Sequence, residues 1–172
     1  MKFIYALLLF LNACVILNAY ELENKLKTAI VGKVAKYVTW SDETHSEFII
    51  TVLNNQYGEM FDKVYKDKKI KSKPVVIKYV ESVEDVNRTD ILFISQVNGD
   101  EVEQILKKIK NKEILSVSDL RGFAQRGGCL QLYFVGQKLK LKMNLESVKE
   151  NEFKVDRTLL RVVDISKGEL QK

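Results

Sequence analysis

The stretch that decides the fold runs from Ile91 to Val117: Ile-Leu-Phe-Ile-Ser-Gln-Val-Asn-Gly-Asp-Glu-Val-Glu-Gln-Ile-Leu-Lys-Lys-Ile-Lys-Asn-Lys-Glu-Ile-Leu-Ser-Val. Ile91-Leu92-Phe93-Ile94 is an apolar run that reads as a strand. Gly99 to Lys110 follows with Val102, Ile105, Leu106 and Ile109 at spacings of three and four, which predicts a helix with one apolar side. Ile114-Leu115-Ser116-Val117 reads as the next strand. Strand, helix and strand in succession form a βαβ unit, and such units build parallel sheets.

Upstream the pattern repeats. Phe48-Ile49-Ile50-Thr51-Val52-Leu53 is a central strand, Glu59 to Tyr65 a helix carrying Met60, Phe61 and Val64, and Val75 to Val80 a further strand. Lys66 to Lys73 reads as a basic loop. Glu21 to Tyr37 reads as the first helix, its apolar face drawn from Leu22, Leu26, Ala29, Ile30, Val34, Tyr37 and Val38.

Downstream, a glycine-rich loop leads into a hairpin from Cys129 to Asn144. Gly136 supplies its two-residue turn. Leu139, Leu141 and Met143 alternate with Lys138, Lys140 and Lys142, so this strand has one dry and one wet face. Leu145 to Glu150 is a short helix capped by Asn144, and Asp156 caps a last helix with Leu159, Leu160 and Val163. The expected fold is an α/β three-layer sandwich whose mixed, mostly parallel sheet ends in an antiparallel hairpin.

The chain has 172 residues, of which 46% are hydrophobic and 30% charged, with a single proline. That is enough for a packed core and leaves no obvious linker. Residues 20–172 are expected to form one domain. Residues 1–19 stand apart: Lys2, then an apolar run from Phe3 to Leu17, then Asn18-Ala19 before the chain turns polar. The run is short for a membrane span, so it reads as a secretory signal peptide cleaved near Ala19. Leu11-Asn12-Ala13-Cys14 also resembles a weak lipoprotein box, with Cys14 as its lipidation site.

Cleavage would leave Cys129 alone, and an exported chain with one cysteine cannot close an internal disulfide. Cys129 is either a small buried hydrophobe or a redox-sensitive thiol. The chain's formal charge of +5 is scattered rather than clustered with aromatics, so nucleic acid is not an expected partner.

Ligands of open α/β sheets sit beyond the carboxyl ends of the strands. Here that edge would gather Asn54 to Gly58, Ser95 to Asn98 and Ser118 to Gly128. Within the last loop, Arg121, Gly122, Arg126, Gly127 and Gly128 could offer backbone N–H groups and guanidinium groups to an anion, or could simply be a turn. The loop is neither a Walker loop nor a dinucleotide fingerprint. His45 is the only histidine and has no partner set for a metal or a serine triad. Neither catalytic residues, nor a metal, nor a cofactor is expected. Asn54-Asn55 and Ser95-Gln96 at the strand ends lack the acids of a phosphoacceptor receiver domain.

Several stretches together resemble the YfiR family of periplasmic proteins. They are Lys33 to Trp40, Phe48 to Leu53, Asp90 to Ser95, Ile114 to Asp119, Gly122-Phe123-Ala124 with Gly127-Gly128, Leu141 to Leu145, and Leu159-Leu160. The resemblance implies a non-enzymatic exported regulator. It would hold the periplasmic part of an inner-membrane diguanylate cyclase inactive, lowering cyclic di-GMP and biofilm formation. A sensor kinase is a related partner, a homodimer a further association, and a small-molecule sensor module the alternative reading. Asp90 stands where family members often carry a cysteine, so disulfide control does not carry over. Ser41 stands where a proline is usual. By position, the resemblance puts the partner-facing surface on the Gly-Gly strand, the Leu141 to Leu145 strand and the helix after it, with Leu130, Lys142 and Val148 as contacts.

Overall fold

The computed structural model describes residues 20–41 and 44–166; the leader and Cys14 lie outside them, as do Asp42 and Glu43. Helix α1 covers 20–35 and is followed by the two-residue strand β1 (Val38–Thr39). Then come β2 (Phe48–Leu53), α2 (Met60–Tyr65), β3 (Lys69–Ile70) and β4 (Lys73–Val80). The central unit is β5 (Ile91–Ile94), α3 (Gly99–Ile109) and β6 (Leu115–Ser118). The hairpin is β7 (Leu130–Val135) and β8 (Lys138–Asn144). After it come α4 (Leu145–Glu150), β9 (Lys154–Val155), α5 (Arg157–Leu160) and β10 (Asp164–Ser166).

The main sheet has eight strands in the order β10-β8-β7-β6-β5-β2-β4-β3. Pairing is parallel except at the β7–β8 hairpin and at β3–β4. The expected mixed, mostly parallel sheet is therefore present. β2 lies between β4 and β5, and all six of its residues are buried, as its unbroken apolar run requires. β1 and β9 form a separate two-stranded antiparallel sheet.

Alternate side chains of the strands feed two cores. Phe48, Ile50, Val52, Ile91, Phe93, Leu115, Val117, Leu130 and Leu132 join α1 and α2 on one face. Leu53, Leu92 and Ile94 join Val102, Ile105 and Ile109 of α3 on the other. Helices on both faces make the three layers. Helix ends agree with their sequence. Asn98 Oδ1 accepts from the Glu101 N–H at 2.9 Å. Asn144 Oδ1 accepts from the Glu146 and Ser147 N–H groups, and Asp156 Oδ1 from that of Thr158.

Three elements differ from the sequence reading. The supposed basic loop contains β3, which pairs antiparallel with β4 through a turn in which Lys71 (φ 51°) and Ser72 (φ 67°) are both left-handed. The last helix stops at Leu160, and residues 164–166 become an edge strand parallel to β8. The third is the orientation of α1. Its buried stripe is Asn24, Thr28, Val31, Val34 and Ala35, whereas Leu22 and Leu26 point outward. The polar Asn24 and Thr28 hide that stripe from an apolar-periodicity reading.

Candidate binding site

The chain passes from β2 to β4 on one side and returns to β5, β6 and β7 on the other, so the topological switch point lies between β2 and β5. α2 follows β2 onto one face and α3 follows β5 onto the other. The notch this creates is tied shut by side chains. Ser95 Oγ donates to the Asn54 carbonyl at 2.6 Å. One strand further along, Ser118 Oγ donates to the Ile94 carbonyl at 2.7 Å and accepts from the Leu120 N–H at 3.0 Å. The strand-end serines are thus spent on joining loops.

The same edge carries a cluster that the sequence did not single out. Asp119, immediately after β6, accepts at Oδ2 from Lys27 Nζ of α1 at 2.7 Å and from the Tyr57 hydroxyl at 2.8 Å. The Lys27 and Asp119 side chains are only 15% and 12% exposed, and Lys27 also sits 5.9 Å from the Phe134 ring centroid. Burial, reinforced by the Asp119 charge, holds the Tyr57 hydroxyl far above the ordinary phenol range. One carboxylate therefore joins α1, the β2 end loop and the β6 end. Asp119 and Tyr57 lay within the strand-end loops read from the sequence; no sequence signal marked Lys27.

The glycine loop is a packed crossover between β6 and β7. Its N–H groups turn inward: Arg126 to the Gly122 carbonyl, Gly128 to that of Phe123, Ala124 to Gln131 Oε1, and Cys129 to Ser116 Oγ. Gly122 (φ +79°) and Gly127 (φ +99°) supply left-handed turns. A Cβ on Gly128 would fall 2.1 Å from Phe123 Cε1. These glycines are accounted for by turn geometry and close packing, and the N–H groups named are not presented to an anion. Arg126 lies across Gly99 at the start of α3, its Nη1 3.1 Å from Glu103 Oε1, while Arg121 is exposed.

Beside Arg126 a groove of about 720 Å³ runs between α3 and α4. Ser116, Ser147 and Asn151 line it together with Lys107 and Lys110. Lys110 Nζ pairs with Glu150 Oε1 at 3.2 Å across it. Among the described residues no three of His, Cys, Asp and Glu come together as a metal-binding group, and no helix is long and apolar enough to cross a membrane.

The remaining sequence candidates separate by burial. Leu130 is fully buried and Val148 only 4% exposed, both in the larger core, because β7 and α4 turn these side chains inward. They cannot meet a partner without opening the domain, which corrects their assignment as surface contacts. Lys142, on the opposite face of β8, is half-buried, its Nζ 5.5 Å from the Tyr133 ring centroid. Cys129 is buried and free, and burial pushes its thiol upward, so it is the packed hydrophobe rather than a surface redox thiol.

These features define a doubly wound α/β sandwich whose strand ends are cross-tied by serines and by one carboxylate. The chain belongs to the YfiR/HmsC-like family, whose profile matches residues 24–163. That family is regulatory and periplasmic and works with membrane signalling proteins. No curated protein is similar enough to the chain to match it.

Proposed function

We propose that the chain is an exported, non-enzymatic regulator that binds the periplasmic part of an inner-membrane diguanylate cyclase and represses it. The observation that carries this reading is the family match across 140 residues, 24–163. Residues 1–19 supply the export signal. Repression follows if the protein binds the inactive conformation of its partner more tightly than the active one, since a ligand shifts an equilibrium only by its differential affinity. Membranes containing the cyclase should form cyclic di-GMP more slowly when purified residues 20–172 are added. An unchanged rate at saturating protein would contradict the proposal.

A second reading, a small-molecule sensor module, is favoured by the groove between α3 and α4. Its size suits a small ligand; Asp100, Glu103 and Glu150 line it beside Arg126, Lys107 and Lys110, so an anionic group would enter by displacing Glu103 from Arg126 or Glu150 from Lys110. Binding of a small anion to the purified protein, lost in Arg126→Ala, would support it. Equal binding by the variant would remove it.

A further inference from the structure

Helix α1 is apolar on two sides. Its inner stripe enters the core, while the side directly opposite carries Leu22, Leu26 and Ala29. Leu22 is 59% exposed and Leu26 44%, and Val162, just after α5, is 66% exposed. A two-sided apolar helix is normally buried on both sides. Nothing among the described residues covers the outer one.

Leu26 and Val162 border a groove of about 560 Å³ between α1 and β8, with Ile30, Leu139 and Leu141 also lining it. Three lysines line it as well, Lys33, Lys138 and Lys140, and no acid does. None of the three lysines has an ion-pair partner among the described residues. Leu26 to Lys33 spans roughly 10 Å of helix, enough to lie along about two turns of another helix.

We infer that this groove receives the apolar stripe of an acidic amphipathic helix from a partner protein. The inference deepens the proposed regulatory function and rests on it for the partner's identity, a membrane signalling protein. Apolar burial along Leu26, Ile30 and Val162 provides affinity, and the lysine rim selects acidic flanks and steers the approach. The occupant is a rod-shaped segment because the site is concave, and a flat bilayer surface would leave its floor untouched. A second copy of the chain placed symmetrically on this face would bring its own lysines to the same rim.

The test uses purified protein and two fluorescent 18-residue helical peptides. Both carry leucines at i, i+3, i+4 and i+7; one has glutamates on its flanks and the other lysines. The Leu/Glu peptide should bind at least tenfold more tightly than the Leu/Lys peptide. Leu26→Glu should weaken it at least tenfold. The triple variant Lys33→Glu, Lys138→Glu, Lys140→Glu should reverse the preference. These are surface changes, and circular dichroism will show that the variants stay folded. Absent binding, equal binding of both peptides, or an unreversed preference would overturn the inference. So would a dimer that dissociates in Leu26→Glu, or lysine-dependent sedimentation with phosphatidylglycerol vesicles without peptide binding. The assay contains no cyclase, so its failure removes the groove and leaves the regulatory reading to its own measurement.

Discussion

The Tyr65 hydroxyl sits between the Gly32 N–H and the Thr28 carbonyl, accepting from the first at 2.7 Å and donating to the second at 2.6 Å. These are the two groups that an uninterrupted helix would join directly. α2 thereby inserts a side chain into the backbone ladder of α1 and fixes how that helix is rotated on the sheet. Gly32 is part of the same device, since a Cβ there would lie 2.7 Å from Tyr65 Cε1.

Tyr65→Phe should therefore cost about 2 kcal/mol, because it leaves buried backbone groups without their bridging hydroxyl. Gly32→Ala should cost about 1–3 kcal/mol through overpacking, although alanine is intrinsically the better helix former. Urea unfolding of both variants checks this. A stabilised Gly32→Ala would show that the contact yields easily.

Gly128→Ala should destabilise by about 3 kcal/mol or more, since the new methyl group would overlap the buried Phe123 ring. Relaxing the ring would also move the crossover that carries Arg126. The measurement is the urea midpoint; Gly128 is not in the left-handed region, so the loss reads the overlap with Phe123 rather than backbone strain.

Alkaline pH should lower the protein's stability in two stages. Burial raises the Cys129 thiol, and it raises the Tyr57 and Tyr65 hydroxyls, with Asp119 adding to the effect at Tyr57. In the unfolded chain the thiol ionises near pH 8.5 and the phenols near pH 10, at about their ordinary values. Above those values the native state holds more protons than the unfolded one, so stability falls as pH rises. It should be full below about pH 8, decline gently through the thiol's range and fall steeply above about pH 10. Cys129→Ser should flatten the first decline, and Tyr57→Phe the second. Urea midpoints between pH 7 and 11 decide it, and a flat profile would contradict the burial account.

Leu130→Asp and Val148→Asp should each unfold the domain, because they place an unpaired charge in the core. Lys142→Glu should fold normally. Native Cys129 should resist a thiol reagent and react once urea unfolds the chain. Circular dichroism and thiol titration read these outcomes.

The sheet was legible because its strands are written in residue type. The apolar runs at 48–53 and 91–94 and the Leu/Lys alternation of β8 match the observed strands. The β3 turn was not legible, because Lys71 and Ser72 adopt left-handed angles that glycine or asparagine normally announces. β10 was hidden because three residues carry no periodicity. The rotation of α1 escapes apolar periodicity because its inner side includes Asn24 and Thr28 while its outer side carries leucines. The Lys27–Tyr57–Asp119 cluster joins residues 62 and 92 positions apart in sequence, a proximity that only the packing of α1 on the sheet creates.

Cellular cyclic di-GMP is the most direct test of the central claim. It should be measured in a strain lacking the gene and in the same strain complemented with the full chain or with residues 20–172 alone. A rise on deletion that only the full, exported form reverses is the predicted result. No change on deletion, or equal rescue by the form without residues 1–19, would contradict a periplasmic brake on a membrane cyclase.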